Sequence, residues 1–251
     1  MLIYFIFFLL GLIIGSFLNV VIYRLPREES VVTPSSYCPE CEHNLTVLEL
    51  IPVVSFIIQG GECRECGSSI SLRYPLVELS AGILFLLNGY LFLSENLIVM
   101  LAGMILISLL IVLSMIDIDH RILPDKLNFT GLALGLFLAF LRPDIQPLQA
   151  ISGVLAGGGF LLILAILSKG GLGGGDIKMM AFVGSFIGPI QVMIVIFMGA
   201  FLGLIAHIPG LIAGNVSLKT SLPFGPFLAV ASMIMWFTGD TLLNWYLGLL
   251  L

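Results

Sequence analysis

The chain has 251 residues, of which 59% are hydrophobic and 10% charged, and its formal net charge is −5. With a mean hydropathy of +1.15, it has more apolar surface than a soluble domain of this size can bury, so lipid must be the solvent for most of it. The ten lysines and arginines never form a run, which argues against a nucleic-acid-binding surface. The predicted fold is an all-α, polytopic transmembrane helical bundle.

Uncharged apolar runs of about 17–25 residues predict the membrane spans. The first run has no basic segment before it and no clear cleavage site after it, so we expect a retained helix rather than a signal peptide. Eight spans are expected: residues 1–23, about 76–94, 97–116, about 127–141, 149–168, two within 179–213 that are separated at Gly188-Pro189, and a last one from near Pro226 to about 239–249. The chain therefore divides into a first helix at 1–23, an insert at 24–75 and a transmembrane core at 76–251.

The basic residues predict the orientation of these spans. With eight spans, the loops after spans 1, 3, 5 and 7 lie on one side of the membrane. Nine of the ten basic residues fall in these loops or at their edges, namely Arg24, Arg27, Arg64, Arg73, Arg121, Lys126, Lys169, Lys178 and Lys219, and Arg142 is the exception. Because cytoplasmic loops are enriched in lysine and arginine, we expect these four loops in the cytoplasm and both termini outside.

The insert at 24–75 is the long polar segment of the chain. It contains two C-x-x-C pairs, Cys38–Cys41 and Cys63–Cys66, with 21 residues between them. Such pairs suit a tetrahedral thiolate site, so the four cysteines are predicted ligands of a structural zinc ion, which would fold an insert too small for much of a core. Two disulfides, disfavoured in the reducing cytoplasm, and a redox-active pair are the alternatives. His43 is a spare candidate ligand, although a polar loop residue is the simpler interpretation.

Acidic residues adjoin the spans at two places. Asp176 follows the glycine-rich run GGLGGG, and Asp117, Asp119 and Asp125 lie in the loop after span 3. The chain crosses out and back between these loops, so both emerge on the same side. Asp117 directly follows an apolar run and should be the deepest acid, whereas Asp119 lies about 200° further round a continuing helix. Asp125 follows Pro124 and suits a helix N-cap. We therefore expect Asp117 to face Asp176.

Carboxyl groups at membrane depth are costly, by about 2.5–3.5 kcal/mol on insertion scales, and indicate function. Two that share a site hold a proton between them, which is the state that aspartyl proteases use. Glycines beside Asp176 would let a peptide backbone approach. As alternatives, the acids could cap helices or pair with Arg121 and Lys178. A transporter with buried acids and a zinc-dependent interaction module in the membrane also stay open.

Five sequence blocks together resemble a known family. Gly173-Gly174-Gly175-Asp176, followed by Ile177-Lys178, is similar to the GxGD signature of intramembrane aspartyl proteases in its prepilin peptidase form. The other four blocks follow in the family's order: GSFLNVVIYRLP at 15–26, RYPLVEL at 73–79, IDIDHRILPD at 116–125 and PFGPFLA at 223–229. The resemblance covers almost the whole chain.

This resemblance implies a bifunctional enzyme of the bacterial inner membrane. Such enzymes cleave the basic leader of type IV prepilins or pseudopilins after a glycine on the cytoplasmic side, and many then methylate the new N-terminus with S-adenosyl-L-methionine. The family's catalytic pair maps onto Asp117 and Asp176, with Gly173, Gly175 and Lys178 in the active-site loop, and its cysteines map onto the insert. The site for the methyl donor is unassigned: the insert is too short for a nucleotide-binding fold, and Glu78 is the suggested candidate, with an interfacial helix-start acid as the alternative.

Overall fold

The computed structural model describes residues 2–168, 171–212 and 223–250. Within these ranges the backbone is mainly helical and has no strand longer than an isolated bridge, which confirms the all-α prediction. The helices are α1 (Leu2–Arg24), α2 (Val54–Ile58), α3 (Arg73–Phe92), α4 (Leu97–His120), α5 (Asp125–Leu138), α6 (Pro147–Val154), α7 (Phe160–Leu167), α8 (Gly174–Ile187), α9 (Pro189–Ile212) and α10 (Gly225–Leu250), with a π-helical turn at Leu155–Gly159 between α6 and α7.

The chain forms two compact units, Met1–Glu95 and Asn96–Leu251. In the first unit, α1 and α3 pack closely along their lengths. A Cβ atom on Gly11 would lie 2.5 Å from the backbone oxygen of Ala81, and one on Gly15 would lie 2.7 Å from Cα of Glu78. Only glycine permits this approach. The insert with α2 connects the two helices, and the predicted domain boundaries at 23 and 75 stay a prediction.

In the second unit, α4 is the most buried of the candidate membrane spans. Its first turn is capped by Asn96, whose side chain accepts hydrogen bonds from the backbone N–H groups of Ile98 and Val99, as is usual for an N-cap. Arg121 ends the helix in the left-handed conformation, with φ of 56°. Helix α10 packs against α4 and α9, and α8 packs against α5, α6 and the π-helical turn. These contacts bring the ends of α4, α8 and α10 together.

The span count is less regular than the sequence suggested. Among the described residues, five helical segments are long and apolar enough to cross a membrane, and Gly225–Gly239 is a shorter apolar stretch. Helices α5 and α8 have 14 residues each, or about 21 Å, whereas a bilayer core is about 30 Å thick. The predicted turn at Gly188-Pro189 is confirmed, because α8 ends before Gly188 (φ 81°) and α9 begins at Pro189. Lys169 and Lys219, which support the predicted orientation, lie outside the described residues.

Candidate active site and metal centre

Asp117 lies in the last turn of α4 and is 6% exposed. Its carboxylate oxygen Oδ2 accepts a hydrogen bond of 2.9 Å from the backbone N–H of Gly225, at the start of α10. The neighbouring acid Asp119 is exposed. Helix α4 continues past both residues, so their side chains leave it on different sides.

Asp176 is the third residue of α8 and is partly buried. Its carboxyl group lies close enough to Asp117 for the charge on one to act on the other. A Cβ atom at Gly173 would lie 2.9 Å from Oδ2 of Asp176, and one at Gly175 would lie 2.8 Å from Cβ of Leu123. Side chains at these two positions would therefore disturb the carboxyl group or the segment after α4. Local packing is a second reason for the glycines, besides access for a peptide.

Lys178 does not point its charge at the two acids. Its Nζ atom lies 2.6 Å from Oδ1 of Asp125 and 5.6 Å from the centre of the Phe129 ring. Both charged side chains are well exposed, so the ion pair contributes little stability. The prediction that Asp125 caps α5 is wrong by one position, because Pro124 is the N-cap and Asp125 is the first helical residue. In the first turn, the negative charge of Asp125 still interacts favourably with the positive end of the helix dipole.

The four cysteines of the insert converge on one point. Their sulfur atoms lie within 4.8 Å of one another, with 3.9 Å between Cys38 and Cys66 and 4.0 Å between Cys41 and Cys63. Tetrahedral zinc, with Zn–S bonds of about 2.3 Å, requires sulfur atoms about 3.8 Å apart. The donor set therefore fits a zinc ion, and the spacing is too long for disulfides. The cysteines are free thiols.

The two C-x-x-C pairs adopt matching turns. In the first turn, the backbone N–H of Cys38 donates to the carbonyl oxygen of His43, and the N–H of Glu42 donates to that of Cys38. In the second turn, Cys63 makes the same two bonds, with Ser68 and Gly67.

Burial raises the pKa of the Cys38 thiol, but backbone hydrogen bonds from Cys41 and Glu40 lower it by more. The resulting pKa is about 6. The pKa of the Cys41 thiol is raised instead, to about 12: a backbone hydrogen bond from His43 lowers it, but burial and hydrogen bonds with the other three cysteines outweigh that effect. The protein alone therefore does not hold all four cysteines as thiolates, and a bound metal would have to deprotonate them. The side chain of His43 instead lies 3.5 Å from Glu49.

Glu78 is buried in α3, where its Oε2 accepts a 2.8 Å hydrogen bond from the backbone N–H of Val53. Ser16 of α1 also bonds to its carboxylate. The carboxylate therefore joins α1, α3 and the insert. This position does not test the suggestion that Glu78 serves a methyl donor.

Sequence reasoning did not identify two residues at the site. Gly225 donates to Asp117, and a Cβ atom there would lie 2.8 Å from its Oδ2. Leu123 lies against the positions that Cβ atoms of Gly175 and Gly225 would take. Gly225 belongs to the PFGPFLA block, whose resemblance to the family assigns no role to any single residue.

Comparison with known proteins gives a consistent result. The model of the Bacterial Peptidase A24 N-terminal domain matches residues 9–92, and that of the Type IV leader peptidase family matches residues 104–208. The chain is 34% identical to the prepilin leader peptidase/N-methyltransferase of Bacillus subtilis, covering 98% of each chain. It is 35% identical to the protein of that name from Pseudomonas aeruginosa (95% of this chain, 91% of the relative) and 34% identical to that from Neisseria gonorrhoeae (95% and 92%). No solved structure matches significantly.

Proposed function

This chain belongs to the type IV leader peptidase family, and we propose that it cleaves the basic leader from type IV prepilins or pseudopilins and then methylates the new N-terminus. The observation that supports the peptidase assignment is that buried Asp117 and partly buried Asp176 lie on segments joined through Leu123, which contacts the positions of Gly175 beside Asp176 and of Gly225 beside Asp117. The relatives are named for both activities. Nothing in these comparisons supports a transporter.

Within the pair, we assign the charged state to Asp117. The N–H of Gly225 donates to its carboxylate, and a hydrogen bond of this kind stabilises a carboxylate. Asp117 would then take a proton from the attacking water while Asp176, protonated, polarises the scissile carbonyl. The tetrahedral intermediate would break down as Asp117 passes the proton that it took from water to the leaving amine and Asp176 takes a proton back from a hydroxyl of the intermediate, which restores both acids to their starting states. The roles of Gly173, Gly175 and Lys178 stay predictions, and the pairing of Lys178 with Asp125 supports a positioning role for it.

The four-cysteine cluster supports a structural zinc ion, since four thiolates fill the tetrahedral coordination shell and leave no position for chemistry. For the second reaction, S-adenosyl-L-methionine would supply the methyl group. Glu78 stays the candidate residue for binding this methyl donor. Because it also holds Val53, a Glu78→Gln variant requires a check that the insert keeps its metal.

The protein is a multi-pass membrane protein, and we propose the bacterial inner membrane as its location. The distribution of basic residues supports a cytoplasmic insert and active site. The substrate, a hydrophobic helix with a basic leader, would reach the two acids from that side. The acidic residues of the insert, Glu28, Glu29, Glu40, Glu42, Glu62 and Glu65, could attract the leader.

The test is cleavage of a synthetic prepilin-like substrate by the purified protein in detergent. The wild type should cut after the glycine, and Asp176→Asn should lose about 10²–10⁴-fold of the rate or more, as expected for an acid–base group. Asp119→Asn is the matched control, because Asp119 is exposed on the same segment as Asp117, and it should cleave normally. Equal cleavage by wild type and a folded Asp176→Asn variant would remove the proposed mechanism.

A further inference from the structure

The insert contains an apolar segment, residues 47–58, that its zinc-binding role does not explain. Its sequence is VLELIPVVSFII, and its single charged residue is Glu49. Seven large apolar side chains in this apolar segment are exposed: Val47 (82%), Leu48 (68%), Leu50 (38%), Ile51 (40%), Val54 (47%), Ile57 (70%) and Ile58 (74%). Contiguous exposed apolar surface of this kind marks a membrane or protein contact. The prediction of a polar insert is therefore wrong for these twelve residues.

The charge of the apolar segment is turned inward. The side chain of Glu49 is 4% exposed, and its Oε2 accepts hydrogen bonds from the backbone N–H (2.9 Å) and hydroxyl (2.7 Å) of Thr46. These hydrogen bonds hold the pKa of Glu49 below its usual value. The outer face of the segment is thus left without a charge that water would have to solvate.

A buried hydrogen bond fixes the level of the apolar segment relative to the spans α1 and α3. Glu78, which holds the N–H of Val53 at 2.8 Å, is the sixth residue of α3, so it lies about 7.5 Å along the helix from its first residue. Glu78 also lies against α1, at Gly15. Val53 is therefore held against the first two turns of α3, beside a pair of candidate spans.

The backbone is strained where this hydrogen bond forms. Val53 has φ of 62° and ψ of −47°, and the N–H of Val54 bonds to the carbonyl oxygen of Pro52 at 2.6 Å. This is a γ-turn with positive φ, which is rare and costly, especially for a β-branched residue. A strained turn persists only where its surroundings hold it, and here Glu78 does so. The position of the apolar segment along α3 is therefore fixed by this hydrogen bond.

One further contact holds the insert close to the end of α1, and the cysteines join two parts of the insert to each other. Arg24, the last residue of α1, is buried and donates to the carbonyl oxygens of Ser30, Pro34 and Ser35. The apolar segment also lies between the two cysteine pairs, and 4.0 Å separates the sulfur atoms of Cys41 and Cys63 at its base. The cysteines thus close the loop at one end, while Glu78 holds its middle.

We propose that the apolar segment, residues 47–58, is inserted into the bilayer interface, with lipid as its partner. Amphipathic elements of this kind sit about 5–10 Å into the boundary between headgroups and acyl chains, and Glu78 ties Val53 to the second turn of α3, near one end of a candidate span. The insert is then a zinc-closed loop that is seated in the membrane. A lipid contact accounts for both the exposed apolar face and the level at which it is held, whereas docking of a substrate helix would account only for the first.

The experiment places a tryptophan on the apolar segment of the full chain. Ile57→Trp is compared with Val32→Trp, since Val32 is also a highly exposed apolar residue of the insert (81%) but lies outside the segment. Both variants are reconstituted in phosphatidylcholine vesicles, and the signal of the wild type, with Trp236 and Trp245, is subtracted. Quenching is measured with brominated phosphatidylcholine and with aqueous iodide.

We expect the added fluorescence of Ile57→Trp to be blue-shifted, quenched by the brominated lipid and protected from iodide, with the reverse for Val32→Trp. Ile58→Trp should repeat the result, in case Ile57→Trp does not fold. Adding Glu78→Ala to Ile57→Trp should reduce the lipid quenching. Iodide quenching of both Ile57→Trp and Ile58→Trp would overturn the proposal, and protection that appears only after a prepilin peptide is added would assign the apolar segment to substrate instead.

Discussion

Asp117 and Asp176 have different surroundings, although they belong to one candidate site. Asp117 is buried and has a backbone donor, Gly225, whereas Asp176 lies in the first turn of α8 among glycines. The difference gives each acid a separate proposed role, since a donor stabilises the charged form of only one. At this scale, the position of a single N–H is the reason for proposing Asp117 as the base.

Gly225→Ala should reduce cleavage. The new Cβ atom would lie 2.8 Å from Oδ2 of Asp117, so the carboxylate or the start of α10 must move, and small displacements of a catalytic group can cost about 10²-fold in rate. Gly203→Ala is the matched control, because its Cβ atom would meet Phe227 at an ordinary 3.5 Å. Cleavage rates of both variants test this prediction. Normal rates for Gly225→Ala would mean that its N–H does not position Asp117.

Glycines decide how the helices of the second unit pack, at the scale of elements. Three consecutive glycines, Gly157–Gly159, lie in the π-helical turn between α6 and α7. A Cβ atom at Gly157 would lie 2.3 Å from the backbone oxygen of Met180, whereas one at Gly159 would meet nothing within 4 Å. One face of the run is therefore pressed against α8, which carries Asp176.

Gly157→Ala should destabilise the protein by about 1–3 kcal/mol, the usual cost of overpacking. Gly159→Ala, two residues away, should be neutral or stabilising by up to about 1 kcal/mol, because alanine is the better helix former. Thermal unfolding in one detergent, followed by circular dichroism, compares the two variants. If both behave alike, α8 does not approach the turn as closely as described.

The four cysteines of the insert predict the zinc content of the protein. The purified protein should contain about one zinc ion per chain, as a closed four-thiolate site holds one metal, and Cys41→Ser should lose it. His43→Ala should keep it, because His43 faces Glu49 and not the sulfur atoms. Elemental analysis of the three proteins measures the metal directly. Loss of zinc from His43→Ala would show that the ligand set is different.

For the whole molecule, the number of crossings fixes the sides on which loops lie. Eight spans were predicted, and five helical segments in the part of the chain that the structure describes meet the length and hydropathy of a span. The short helices α5 and α8 adjoin the candidate site and each have 14 residues. If the number of crossings is even, as predicted, the positions of the basic residues predict both termini outside the cytoplasm.

An alkaline phosphatase fusion at the C-terminus should therefore be active, since this enzyme requires the disulfide-forming environment outside the cytoplasm. A fusion within the insert, after Gly60, should be inactive. The assay is phosphatase activity in whole cells, normalised to the amount of each fusion. An inactive C-terminal fusion with an active one at Gly60 would reverse the orientation.

The sequence by itself determined the features that rest on local chemistry. Apolar runs require lipid, paired C-x-x-C motifs bring thiols together, and Gly188-Pro189 ends one helix and begins the next. The choice of Asp117 over Asp119 also followed from the sequence, because depth is set by the apolar run before it. The apolar segment at 47–58 could have been found in this way, since it reads as nine apolar residues and a proline among twelve, but it was included in the polar insert.

Only the tertiary structure decided which groups meet across long separations. Gly225 donates to Asp117 from 108 residues away, Lys178 pairs with Asp125, and Glu78 holds the N–H of Val53. No local pattern encodes such contacts, because a backbone N–H or a side-chain charge can serve any partner that packing brings within hydrogen-bond distance. Packing of α10 against α4 and of α3 against α1 selects these partners, and that selection is a property of the folded chain.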